Sequence, residues 1–125
     1  MARLGFRRDQ RLEHAREFEA VRSARRSRAQ GPVVCAVRPN GGARWRLGLQ
    51  VGRAVGGAVE RNRVKRLIRE AFRLHQHELP MPGGFEGYDL VVSVRGPTRM
   101  GLAGFSRVLV EAAKSLTTRD VGEAR

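Results

Sequence analysis

The clearest pattern in the sequence is a strict alternation of apolar and polar residues in RWRLGLQV, residues 44–51. Side chains on a β-strand point alternately to opposite faces, so this segment is predicted to be a strand with one apolar face. That face would carry Trp45, Leu47, Leu49 and Val51. A short β-branched run, PVVCAV at 32–37, predicts a second strand, and PNGG at 39–42 is typical of a turn. We therefore expect these two strands to form a hairpin.

Three segments have the apolar spacing of amphipathic helices. The first is short and lacks a good N-cap residue before Ala15; its apolar positions are Leu12, Ala15, Phe18 and Val21. The second begins at Val59 after two glycines, and its apolar arc contains Val64, Leu67, Ile68, Ala71 and Leu74. The third follows RGPTRMG, and its apolar face contains Phe105, Val108, Leu109, Ala112 and Leu116.

The remaining segments complete the predicted fold. YDLVVSV at 88–94 is a continuous apolar run typical of a buried strand, whereas PMPGGFEG at 80–87 predicts a loop. The basic segment RSARRSRAQG predicts a helix end that runs into a loop. Strand, helix and strand over residues 44–94 indicate a βαβ unit, and hence an α+β or α/β class with a small mixed sheet. We expect one domain over residues 1–125, with loose termini at about 1–10 and 117–125.

The charge pattern indicates a polyanionic partner. The chain has a formal net charge of +13, and all its basic residues except Lys65 and Lys114 are arginines. In the second helix the basic positions recur every four residues and form one row on the side away from the apolar arc: Arg61, Lys65, Arg69 and Arg73, with Asn62 and Arg66 beside it. Like charges at this spacing repel, and only Glu60 and Glu70 oppose them. We infer that phosphate groups supply the missing negative charge.

The chemistry needed for catalysis by the protein itself is missing from the sequence. The aspartates are scattered, Glu17 and Glu19 face different ways on a helix, and the two histidines at 75 and 77 diverge too far to share a metal. The single cysteine, Cys35, excludes an internal disulfide and a zinc site built from cysteine pairs. No apolar run is long enough for a membrane span, and the N-terminus has no secretory h-region. We expect a cytoplasmic binding protein with no catalytic residue, no metal site and no membrane partner.

The run AVERNRVKRLIREAFR at 58–73, preceded by LGLQVGRAVGG at 47–57, closely resembles the signature of the bacterial ribonuclease P protein subunit. Phe18 in REFEAV matches the family's first helix, and the resemblance covers roughly residues 11–110. It implies a small α/β sandwich of order α-β-β-β-α-β-α with a left-handed βαβ crossover, an exception to the usual rule. It also implies a protein that binds a large catalytic RNA and helps remove the 5′ leader of precursor tRNA. The RNA would hold the catalytic Mg²⁺, and the protein alone would bind no cofactor.

The resemblance also implies roles for individual residues. The positions that match the family's RNA-facing residues are Arg53, Arg61, Asn62, Arg63, Lys65, Arg66 and Arg69, and Arg73 continues their row. In the family, a cleft between the first helix and the sheet holds the single-stranded leader. Phe18 matches an aromatic residue of this leader cleft that is able to stack on a base. Arg22 stands where the family often has a second aromatic, and Cys35 where it often has a tyrosine. We expect weaker stacking in this cleft, with arginine planes and charge compensating.

Three other interpretations remain open from the sequence. A structural RNA-binding protein, such as a ribosomal protein, would show the same charge and the same lack of catalytic groups. A DNA-binding module would need a helix-turn-helix pair, whereas the neighbours of residues 58–74 are predicted to be strands. A metal-dependent ribonuclease acting alone is disfavoured by the scattered carboxylates. No obligate protein partner is evident.

Overall fold

A four-stranded mixed sheet separates one helix on one face from two helices on the other. The computed structural model describes residues 10–84 and 86–122, with side chains described as far as Thr118. The elements in chain order are α1 (Ala15–Ser23), β1 (Ser27–Gln30), β2 (Val33–Pro39), β3 (Arg46–Val51), α2 (Ala58–His75), β4 (Tyr88–Val94) and α3 (Leu102–Gly122). The α+β class, the mixed sheet and the α-β-β-β-α-β-α order are confirmed.

The sheet has the order β1-β2-β4-β3, so the predicted hairpin of β2 and β3 is wrong. Both strands pair with β4 instead, β2 antiparallel and β3 parallel. β4 has apolar residues on both faces, and all its residues but Ser93 are buried, so it occupies the interior of the sheet between them. The turn at PNGG does form, with the Gly42 N–H donating to Asn40 Oδ1 at 2.7 Å, but it leads the chain across β4.

The actual hairpin joins β1 and β2 through a turn at Gly31, whose φ of 60° suits glycine. The prediction of a loop over 22–31 is therefore wrong for residues 27–30. All four side chains of β1 are exposed, so the strand lacks the apolar alternation by which a strand is recognised in a sequence. Only its pairing with β2 makes it a strand.

The C-terminal segment that is expected to be loose from residue 117 continues α3 as far as Gly122. Thr117 is fully buried, and its hydroxyl donates to the Ala113 carbonyl at 2.7 Å. At the other end, Gln10 is buried, and its Nε2 donates to Gln76 Oε1 at 2.8 Å. The rest of the two predicted loose ends, residues 1–9 and 123–125, lies outside the described residues.

The main core lies between the sheet and the pair α2 and α3. From α2 it receives Val64, Ile68, Ala71 and Phe72, all buried, whereas Leu67 and Leu74 of the predicted arc are half-buried. Phe72 was not predicted. The predicted face of α3 is confirmed, with Phe105, Val108, Leu109 and Ala112 buried and Leu116 packed at the margin. A smaller cluster around Val21 and Val91 lies on the opposite face, under α1.

Shortening Ile68 to alanine should destabilise the fold, because Ile68 is completely buried and its loss leaves a cavity between α2 and the sheet. We expect a loss of about 2–5 kcal/mol in the free energy of unfolding, measured by denaturant titration. Val59→Ala is the matched control, since Val59 is a β-branched residue of the same helix that is 87% exposed. It should change stability by less than about 0.5 kcal/mol. Equal losses in the two variants would contradict the assigned buried face.

Candidate nucleic-acid interface

The basic row of α2 changes its exposure along the helix. A four-residue step on an α-helix drifts by about 40° per step, so a row of such steps winds gradually around the surface. Arg61 lies close to the buried stripe and is half-buried, as is Lys65, whereas Arg69 is exposed. Within the described residues, the Nε atom of Arg61 is buried without a hydrogen-bond partner. The prediction that the whole row points outward is therefore wrong at its N-terminal end.

The two glutamates of α2 bind two of its arginines. Glu60 Oε1 accepts from Arg63 Nε at 2.7 Å, and Arg73 pairs in the same way with Glu70. The hydrogen bond from Arg73 lowers the pKa of the Glu70 carboxyl. Arg63 Nη2 also donates to the Thr98 carbonyl at 3.1 Å, which ties α2 to the loop that follows β4. Arg63 and Arg73 are thus engaged within the fold.

Other basic side chains remain open to solvent. Arg66 and Arg69 on α2 are exposed, and so is Arg53, which lies in a turn of 3₁₀ helix at Arg53–Val55. Within the described part of the chain, these three arginines form no ion pair and no side-chain hydrogen bond. Asn62 is exposed beside them. We define Arg53, Asn62, Arg66 and Arg69 as the α2 surface.

The face of the sheet that α1 covers consists of three cross-strand rows. The first row is charged and contains Arg38, Asp89 and Arg46. The second contains small or apolar residues, namely Ser27, Ala36, Val91 and Gly48. The third contains Ala29, Val34, Ser93 and Gln50. The three rows run from a charged end of the sheet to a small, polar end.

Helix α1 packs on the second row and leaves the third row open. The Phe18 ring lies directly on Gly48, where an added Cβ would come within 2.7 Å of ring atom Cε1. Val21, one turn later, is fully buried. Beyond it lies a groove of about 270 Å³, with Val34, Gln50 and Ser93 among its lining residues. Four arginines also line this groove: Arg22, Arg25, Arg26 and Arg95.

The three leader-cleft candidates differ in their positions. Arg22 lines the groove. Phe18 is half-buried beside it and packs between Gly48 and the small cluster under α1. Cys35 is fully buried in the main core, so its assignment to the cleft is wrong. Successive residues of β2 point to opposite faces, so its neighbours Val34 and Ala36 line the groove and Cys35 cannot.

Sequence reasoning missed three arginines of the groove, at positions 25, 26 and 95. Arg25 and Arg26 lie in the segment that is interpreted from the sequence as a helix end running into a loop. Arg95 follows β4, and its N–H donates to the Pro32 carbonyl at 2.9 Å, which fixes it beside the β1–β2 hairpin. Because β3 and β4 are parallel, their carboxyl ends lie at one edge of the sheet, and Arg53 and Arg95 follow those ends. A prediction from the sequence that β3 and β4 pair in parallel would therefore have placed Arg95 near Arg53.

A sequence model of the family described as Ribonuclease P matches residues 6–118 of this chain. The chain belongs to the ribonuclease P protein family. It is 40% identical to the ribonuclease P protein component of Photorhabdus laumondii, over 100% of this chain and 98% of that protein. It is 43% identical to the component of Ectopseudomonas mendocina, over 76% of this chain and 68% of that protein.

Solved structures of the family share the fold. The RNase P protein of Thermotoga maritima matches with a TM-score of 0.71 and 30% identity, covering 84% of this chain and 96% of that one. The protein of Staphylococcus aureus matches with a TM-score of 0.70 and 27% identity, covering 85% and 94%. The resemblance stated from the sequence is confirmed, and the ribosomal-protein alternative is set aside. The chain is a protein subunit of ribonuclease P, the ribonucleoprotein endonuclease of tRNA processing, and its partner is the ribonuclease P RNA.

Two features of the described residues accompany this assignment. Among residues 10–84 and 86–122, no three histidine, cysteine or acidic side chains lie close enough together to hold a metal ion. None of the helices in that part of the chain is both long and apolar enough to cross a membrane.

The burial of Cys35 can be tested with a thiol reagent. Burial raises the pKa of the Cys35 thiol to about 12, so the reactive thiolate is scarce at pH 8 and the reagent has no access. We expect iodoacetamide to leave the folded protein unmodified and to alkylate it once denaturant is added, with the mass measured in both conditions. Rapid alkylation of the folded protein would show that Cys35 faces the groove after all.

Proposed function

We propose that the α2 surface binds phosphates of the ribonuclease P RNA and that the arginine-lined groove binds the 5′ leader of precursor tRNA. The first part rests on the pairing of charges along α2. The two glutamates bind Arg63 and Arg73, so they do not neutralise the α2 surface. Arginine forms forked contacts with phosphate, and exposed cations without protein partners are suited to a polyanion.

The half-buried members of the signature fit this proposal in a different way. The side chains of Arg61 and Lys65 lie where α2 meets the rest of the fold. We assign to them contacts with RNA groups that approach this boundary. Arg63 and Arg73 each keep part of their side chain exposed, at 39% and 34%, while their glutamate partners hold them in place. An arginine held in this way loses less conformational entropy when a phosphate binds.

The leader assignment rests on the shape and charge of the groove. Its floor is a sheet surface of small side chains, which leaves room for a single strand, and arginines stand around it. Guanidinium planes bind phosphates and also stack on bases, so arginine can replace part of the stacking lost without aromatic residues. Phe18 contributes as a support for α1, because its ring packs on Gly48.

We further propose that the catalytic Mg²⁺ ions are held by the RNA subunit and that this protein supplies none of their ligands. The carboxylates of this chain are dispersed along the sequence, and Arg46 forms ion pairs with two of them, Glu17 and Asp89. In this proposal the protein acts by placing the leader and by neutralising phosphate charge next to the cleavage site.

Removing the α2 surface should weaken RNA binding without destabilising the fold. In Arg66→Ala/Arg69→Ala both side chains are exposed and alanine favours the helix, so the melting temperature should hold or rise slightly. Affinity for ribonuclease P RNA should fall on the order of tenfold or more, and the slope of log K against log salt should flatten by about two units. The control is Arg107→Ala/Lys114→Ala, which removes two exposed charges from α3. Equal losses of RNA affinity in the two double variants would show that affinity depends on net charge and not on the α2 surface.

A second double variant tests the groove. Arg22→Ala/Arg95→Ala removes two exposed arginines that line it. The reconstituted enzyme should bind a precursor with a full leader roughly tenfold more weakly, since two phosphate contacts are lost. Binding of a precursor whose leader is cut to one nucleotide should be nearly unchanged, as measured by equilibrium titration of both substrates. A loss of the same size with both substrates would place these arginines on the tRNA body or on the catalytic RNA instead.

A further inference from the structure

The charged row of the sheet contains a buried acid, Asp89, between two arginines, Arg38 and Arg46, of which Arg46 binds it. Asp89 on β4 is 2% exposed, and its two oxygens accept from Arg46 Nε at 2.7 Å and from Arg46 Nη2 at 2.8 Å. Asn40 Nδ2 adds a third hydrogen bond to Asp89 at 3.1 Å. The hydrogen bond that Arg46 donates to Asp89 raises the pKa of the Arg46 guanidinium. A bidentate pair on a buried acid holds the arginine plane in one orientation.

The third nitrogen of this guanidinium reaches helix α1. Arg46 Nη1 lies 3.0 Å from Glu17 Oε2, and the other oxygen of Glu17 accepts from the N–H of His14 at 3.1 Å. Glu17 is the third residue of α1, and its hydrogen bond to the His14 N–H is part of the capping box at the start of the helix. Partial burial raises the pKa of Glu17, but hydrogen bonds from the His14 and Glu13 backbone and the charge of Arg46 outweigh this and keep it below its usual value. One side chain thus joins a buried acid of the sheet to the start of α1.

The same helix forms a wall of the groove at its other end. Arg46 holds the first turn of α1, Phe18 and Val21 pack in the middle, and Arg22 in the last turn lines the groove. Nine residues of helix span about 13 Å, so a rotation of about 10° at the first turn moves the last turn by about 2 Å. A shift of this size is comparable to the increase in donor–acceptor distance that breaks a direct hydrogen bond to a phosphate.

We propose that Arg46 is a positioning residue for the leader groove: it fixes the angle of α1 over the sheet, and so the distance between Arg22 and the groove floor, without itself contacting the leader. Arg46 is not among the residues that line the groove. The inference rests on the leader-binding function proposed above. The simpler role, neutralising the charge of Asp89, would need only the bidentate pair and would make the contact with Glu17 irrelevant to the substrate.

The experiment compares four variants in the reconstituted enzyme. Arg46→Gln breaks both links, Arg46→Lys keeps the charge but loses the fork, and Glu17→Gln weakens only the link to α1. Arg38→Gln is the control, because Arg38 is an exposed arginine of the same row, and it forms no ion pair within the described residues. For each variant, KM and kcat are measured for a precursor with a full leader and for one with a single-nucleotide leader, together with affinity for ribonuclease P RNA.

We expect Arg46→Gln to raise KM for the full leader about tenfold and to leave the short leader within about twofold, since small misplacements of a binding group have effects of this size. Glu17→Gln should raise it about threefold, Arg46→Lys should recover part of the loss, and Arg38→Gln should match the parent. The double variant Arg46→Gln/Glu17→Gln should be no worse than Arg46→Gln alone, because the two residues act through one link. Affinity for the RNA subunit should not change.

Several results would overturn the proposal. Equal losses with long and short leaders would mean that Arg46 acts only on stability, and additive losses in the double variant would mean that Glu17 and Arg46 act separately. If Arg46→Gln fails to fold, because Asp89 is left buried and unpaired, Glu17→Gln decides the matter, since it leaves the Asp89 pair intact. A Glu17→Gln enzyme with no selective defect for the full leader then rejects the proposal.

Failure of the leader assignment itself has a separate signature. A parent enzyme that does not distinguish the two leaders rejects leader binding in the groove, whatever Arg46 does. The positioning of α1 is then judged by amide hydrogen exchange, which reports local opening. Exchange in α1 should be faster in Arg46→Gln and Glu17→Gln than in Arg38→Gln, and unchanged exchange would overturn the positioning role as well.

Discussion

The burial of β4 on both faces is the constraint on which the rest of the structure depends. Its residues Leu90, Val92 and Val94 point into the main core, and Val91 points toward α1. A strand with two apolar faces needs a neighbour on each edge and a helix layer on each side. β2 and β3 supply the edges, α2 and α3 cover one face, and α1 covers the other. The parallel pairing of β3 with β4 then brings Arg53 and Arg95 to one edge of the sheet.

The distribution of charge explains how the fold accommodates so basic a helix as α2. Each glutamate of α2 stands three residues before the arginine that it binds, which is the spacing at which side chains meet on a helix. These exposed pairs add little stability on their own. These pairs instead determine where the positive charge lies, because they hold two arginines in place and leave the α2 surface without a counter-charge. The buried apolar side of the helix, with Ile68 and Phe72, holds this repelling surface in place.

Much of the fold could be predicted from the sequence because local patterns determine it. The alternation in 44–51, the apolar run of β4 and the spacing in α2 and α3 each identify an element without knowledge of its neighbours. The pairing of strands could not be predicted in this way, since the paired residues of β2 and β4 are 49 to 61 positions apart in the chain. β1 was missed because its four residues are all exposed and carry no pattern. For the candidate site, the charge pattern of α2 identified its exposed arginines. Cys35 was misplaced because its side of β2 depends on strand register, and Arg25 and Arg26 were missed because their segment was interpreted as a loop.

The exposed strand β1 also affects how copies of the protein behave toward one another. It lies at the end of the sheet, where an unpaired strand edge can recruit another sheet and start aggregation. This edge is only four residues long, it contains Arg28, and Arg25 and Arg26 precede it directly. A second copy that approached by the same edge would bring the same positive charges with it, and repulsion would oppose the pairing. Positive charge at this edge therefore opposes pairing between copies, and two of these arginines, Arg25 and Arg26, also line the groove.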